Sequence, residues 1–175
     1  MRATDGQAGV SGVRRRVWGA RLLTLVAVIA FAALAATPVA SAKKKTRTVD
    51  ATMKVAIIEQ TEGANHFAGS ITGKPGGMAA VLGVATLTNT PTGLITESQP
   101  TLYYKKGTLR LKAVDVVNVQ PDGSLSLNGT YEILGGSGRY KGATGSGTFN
   151  GTLPPGSSLR VGTVVTFDVD GTLRY

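Results

Sequence analysis

The sequence predicts an all-β domain closed into an antiparallel barrel, and three observations carry that prediction. Apolar residues after residue 42 recur with a period of two, and none hold the i, i+3, i+4, i+7 spacing of an amphipathic helix. Twenty of the 24 glycines fall after residue 42, about twice the usual share, which suits many tight turns and bulges. The last segment still alternates when it reaches Tyr175. With seven or eight short-looped strands in all, closure of the sheet on itself gives that segment a partner.

Residues 1–42 read as a secretory signal peptide. Arg14, Arg15, Arg16 and Arg21 form a basic head, and Leu22 to Ala36 is an apolar run broken only by Thr24. Pro38 ends the run, and Ala40-Ser41-Ala42 places small residues where a signal peptidase cuts. The run is shorter than the roughly 20 residues that span a bilayer, although an uncleaved anchor is the alternative reading. The residues after the arginines (Val17, Trp18, Gly19) fit a twin-arginine signal poorly. The expectation is an extracytoplasmic, secreted protein cut near Ala42, touching membrane only through its signal. Cysteine is absent, which excludes a lipid-modified N-terminus and any disulfide.

The formal charge of +9 is uneven. Residues 1–42 hold five arginines and one aspartate, and Lys43, Lys44, Lys45 and Arg47 supply four more cations. From Thr48 onward the side chains sum to +1. Residues 43–48 therefore read as a basic tail and residues 49–175 as a nearly neutral barrel. No basic stripe interleaved with aromatics is present, which argues against nucleic acid as a partner.

The strands follow in order. Val49 to Gln60 puts Met53, Val55 and Ile57 on one face, and His66 to Thr72 comes next. Gly73 to Gly77 is a turn by composition. Ala79 to Thr88 is nearly all small or apolar, as in a strand buried on both faces. Leu94 to Lys105 contains Pro100, which calls for an edge, a bulge or two pieces. Thr108 to Val119 aligns Leu109, Leu111, Ala113, Val117 and Val119, and Ser124 to Leu134 aligns Leu125, Leu127, Tyr131 and Ile133. Between them, Gln120-Pro121-Asp122-Gly123 makes the pair a hairpin. Gly135 to Gly138 supplies a turn, Arg139 to Thr152 a glycine-rich strand, and Arg160 to Tyr175 the last strand, with Val161, Val165, Phe167 and Val169 on one face.

The run Gly135-Gly136-Ser137-Gly138-Arg139-Tyr140, followed by Gly142-Ala143, resembles the allene oxide cyclase barrel-like family and its dirigent relatives. The hairpin from Gly107 to Ile133 and the closing Gly171-Thr172-Leu173-Arg174-Tyr175 share the likeness, which extends from about residue 107 to the end. The resemblance implies an eight-stranded calycin-like barrel, often a homotrimer. It marks Gly135, Gly136, Gly138, Arg139 and Gly142 as a fold motif. The cyclases hold an unstable fatty-acid epoxide in an apolar lumen, and dirigent proteins steer phenol radical coupling. No catalytic carboxylate of either branch aligns with a motif here.

Two acids fall in phase with apolar faces: Asp115 with Leu111, Ala113 and Val117, and Glu59 with Met53, Val55 and Ile57. Inward-facing carboxylates would titrate high and could act as acid or base. Equally, Asp115 could sit at a bulge or pair with a cation, and Glu59 could lie past the rim. Tyr131, Tyr103 and Phe167 are the candidate lumen residues for a ligand. Only one of the adjacent Tyr103 and Tyr104 can look inward. His66 is the single histidine, with no metal-ligand spacing around it, so neither a metal nor another cofactor is expected. Three functions remain: a binding or scaffold protein for a small hydrophobic ligand, an isomerase or cyclase on a hydrophobic substrate, and an envelope protein adhering to anionic polymers through its basic tail.

Overall fold

The computed structural model describes residues 44–91 and 93–175. The signal-peptide reading of residues 1–42 and Lys43 lie outside the described residues. Nine strands form one sheet: β1 (Thr46–Thr61), β2 (Ala64–Lys74), β3 (Gly77–Thr90), β4 (Gly93–Ser98), β5 (Thr101–Tyr104), β6 (Gly107–Val119), β7 (Leu125–Gly136), β8 (Thr144–Leu153) and β9 (Val164–Arg174). Each pairs antiparallel with its neighbours, and β1 also pairs with β9, so the sheet closes. β4 and β5 both pair with β3 and β6 and together act as one stave, broken at Gln99-Pro100. The result is an eight-stranded antiparallel barrel. Proline supplies no ladder donor, which is why the stave parts there.

The interior follows the period of two. Val55, Ile57, Leu111, Ala113, Leu127, Ile133, Val165, Phe167 and Val169 are all buried on the inner face. Large rings fit because a glycine faces them on the next strand. A Cβ built on Gly83 would overlap the Phe67 ring, and one on Gly129 would overlap Phe149. A Cβ on Gly147 would stand 2.7 Å from the Tyr131 hydroxyl and would collide with the Asp170 carbonyl. The alternate glycines of β8 are thus space for neighbouring side chains.

Four local expectations change. β3 is buried on one face only: Met78, Leu82 and Val84 point out and are exposed, while Ala79, Val81 and Ala85 are buried. A closed single-layer barrel leaves its outer wall in solvent, so the apolar run was no sign of two-sided burial. Arg139 lies in a 3-10 turn, Gly138–Tyr140, and β8 begins only at Thr144. Val161 is exposed in the loop before β9, which starts at Val164. At the other end of the chain β1 starts at Thr46, so part of the basic tail is already strand.

Tyr140, buried by the 3-10 turn, packs its ring 5.1 Å from those of both Tyr104 and Tyr175. This tyrosine set sits at the end where β1 begins and β9 ends.

Candidate functional site

The barrel encloses a cavity of about 110 Å³ walled largely by apolar side chains, among them Val55, Ile57, Leu111, Ala113, Phe149 and Val165. Polar side chains at its wall include Asn65, Thr96 and Asp115, all three buried. Thr96 and Asp115 are register partners on β4 and β6, so both side chains leave the sheet on the same face. The next partners of Asp115 around the wall are Gly129 and then Phe149. The Phe149 ring lies over the bare Gly129 and packs beside the carboxyl-bearing residue.

Asp115 Oδ2 and Thr96 Oγ1 are buried and, beyond the weak interaction of one with the other, complete no hydrogen bond with the protein. Burial pushes the Asp115 carboxyl up from 3.8 to about 6, with the nearby Thr96 hydroxyl opposing the rise. Asn65 is better served, since its Oδ1 accepts from Gln60 Nε2 at 2.8 Å. Gln60 Nε2 also donates to the Leu159 carbonyl at 2.9 Å and ties the loop before β9 to the rim. Leu159 and Leu87 border both the cavity and an open groove lined by Asn89, Asn118, Ser157 and Ser158. They stand where a molecule would enter.

Tyr131 borders the cavity and a smaller space of about 30 Å³ beneath it. Its buried hydroxyl has no protein partner, and burial, then the charge of Asp170, pushes it up to about 12. It therefore stays protonated at neutral pH and can donate.

Of the residues singled out from the sequence, Asp115, Tyr131 and Phe167 meet around this cavity. Glu59 and Tyr103 do not. A β-bulge between Ile57 and Glu59 adds a residue to β1, breaks the phase with Val55 and Ile57, and leaves Glu59 exposed. Tyr103 is 47% exposed on the outer wall, and Leu102 and Tyr104 take the inward phase of β5. The motif residues Gly135, Gly138 and Gly142 adopt positive φ of 136°, 56° and 69°, while Gly136 has backbone where a Cβ would go. They shape the β7–β8 connection, away from the cavity wall. Sequence reasoning missed Thr96, Asn65 and Phe149. Only Phe149, alone between Gly147 and Gly151, carried a signal, as a large ring amid bare positions.

Fold and cavity together define the class: a closed eight-stranded barrel with a small apolar lumen and, among the described residues, a buried carboxyl beside a threonine hydroxyl in its wall. Comparison with protein-family models found no match, and comparison with curated proteins found none. Among solved structures the chain is similar to the pterocarpan synthase dirigent protein GePTS1, with 11% identity and a TM-score of 0.47, over 84% of this chain and 98% of that one. It is also similar to the pterocarpan synthase dirigent protein PsPTS1, with 11% identity and a TM-score of 0.46, over 75% of this chain and 96% of that one. Both are dirigent proteins.

Proposed function

We propose that this is a non-catalytic, extracytoplasmic binding protein whose lumen holds a small, largely apolar molecule bearing one hydroxyl. One observation carries the reading: Thr96 Oγ1 and Asp115 Oδ2, which have no protein partner beyond each other, are buried in the wall of an otherwise apolar cavity. A buried polar atom without a partner costs free energy, and a ligand hydroxyl would satisfy both. The cavity sets the size. An apolar cavity of about 150 Å³ takes benzene, so about 110 Å³ holds a short branched chain or part of one ring, the remainder reaching toward the mouth. A longer ligand would run past Leu87 and Leu159 into the groove.

The isomerase reading draws support from Asp115 alone, whose carboxyl at about 6 could exchange a proton near neutral pH. Tyr131, at about 12, would be a hydrogen-bond donor and not a base. Trimerisation belongs to the same proposal, and the outward apolar strip of Met78, Leu82 and Val84 supports contact between copies. A monomer mass at every concentration in native mass spectrometry would remove it.

Calorimetric titration with 4-methylphenol tests the binding reading. The wild type should bind saturably, Asp115→Leu should bind about tenfold more weakly from loss of one charged hydrogen bond, and Ala113→Leu, which fills the cavity, should not bind. Absence of binding to the wild type, or equal binding by Ala113→Leu, would rule out the lumen as the site.

A further inference from the structure

Exposed charge is separated along the barrel. Antiparallel alternation brings five features to one end: the start of β1, the β2–β3 turn, the β5–β6 turn, the 3-10 turn and the end of β9. Lys44, Lys45, Lys105, Lys106, Arg139, Lys141 and Arg174 are all exposed there. Lys74, also at this end, is paired with Asp50 at 3.8 Å. Among the described residues, none of the seven is in an ion pair. The opposite end exposes Glu59, Glu62 and Asp122 beside Arg160. A domain close to neutral in sum therefore presents one strongly cationic end.

That end is built, not frayed. The Lys44 ammonium donates to the Gly142 carbonyl, and Lys45 N donates to Tyr175 O at 3.0 Å. Arg139 N donates to Lys106 O at 2.9 Å, and its guanidinium lies 5.3 Å over the Tyr175 ring. The basic residues before the barrel and those of its turns thus form one surface, set around the Tyr104–Tyr140–Tyr175 rings.

We infer that this end docks on a bilayer surface carrying anionic lipid. One observation favours a bilayer over a soluble polyanion. The half-buried Tyr104 and Tyr175 sit among the cations, and amphipathic tyrosine rings are enriched at the headgroup level of membranes. Each lysine or arginine near an anionic surface raises partition roughly fivefold, and salt screens the effect.

Cosedimentation of the secreted chain, residues 43–175, with vesicles tests the inference. Vesicles of phosphatidylcholine with added phosphatidylglycerol should hold far more protein than phosphatidylcholine alone, and the excess should fall as salt rises. Lys105→Gln, Lys106→Gln and Lys141→Gln together should cut the excess about a hundredfold. All three side chains are exposed, and an unchanged far-ultraviolet spectrum would confirm the fold. The wild-type comparison of the two vesicles stands without the variant. Equal partition onto both vesicles overturns the inference, as does a triple variant that binds like the wild type. Tight binding to polyphosphate with no preference for anionic vesicles would assign the surface to a soluble polymer instead. Each of these results is independent of whether the lumen binds a ligand.

Discussion

Asp115 brings a charge to an apolar wall, and the consequence is a pH dependence with a definite sign. Its carboxyl sits at about 6 in the folded protein against 3.8 ordinarily. Between those values the folded state keeps a proton that the unfolded chain has released. Stability from this group is therefore fully present below the unfolded value, falls as pH rises through about 6, and is flat above. Two units correspond to about 3 kcal/mol. The wild-type urea midpoint should drop between about pH 4 and 6.5 more steeply than that of Asp115→Asn, and the variant should be the more stable at pH 7. Parallel slopes would show that Asp115 does not titrate this way. The phase of Asp115 was legible from Leu111, Ala113 and Val117, because β6 runs without a break through that stretch. Its partner Thr96 was not, because cross-strand register is set by the split at Pro100. Glu59 had the same sequence argument as Asp115 and ended in solvent, since one inserted residue reverses every later side chain.

At the level of elements, glycine and aromatic residues form matched pairs across strands. Gly83→Ala places its methyl closest to the Phe67 ring, so it should cost about 1–3 kcal/mol through overpacking. Phe67→Leu should relieve much of that cost in a double-mutant cycle followed by urea denaturation. Gly147→Ala meets the Asp170 carbonyl as well as Tyr131. Backbone cannot yield as a ring tip can, so Tyr131→Leu should not rescue it. Equal rescue at both sites would refute the distinction. Leu159 is the loop's contribution to the mouth. Leu159→Ala should speed ligand release while leaving the melting temperature within a few degrees, read by exchange broadening of ligand resonances. The strands themselves were legible nearly to their ends, because alternation and turn chemistry agree along β6 and β7. The 3-10 turn was not, since Gly135 to Gly147 offers no apolar period on which to place a boundary.

For the whole molecule, closure of β9 on β1 joins the last strand to the first and makes an inside. Closure also explains why the apolar content of β3 misled: in a single-walled barrel an inward and an outward apolar set belong to different surfaces. The same topology gathers cations that are scattered in sequence, from Lys44 to Arg174, at one end. Summing charge along the chain therefore concealed what the fold displays. The central claim is that the interior is hollow and that Thr96 and Asp115 face it. The most direct test is a methyl-labelled nuclear magnetic resonance titration with 4-methylphenol. Saturable shifts confined to Ala113, Leu127 and Val165, with ligand contacts to the same methyls, are the predicted result. No saturable shift, or shifts centred on the outer-wall Leu82 and Val84, would contradict it.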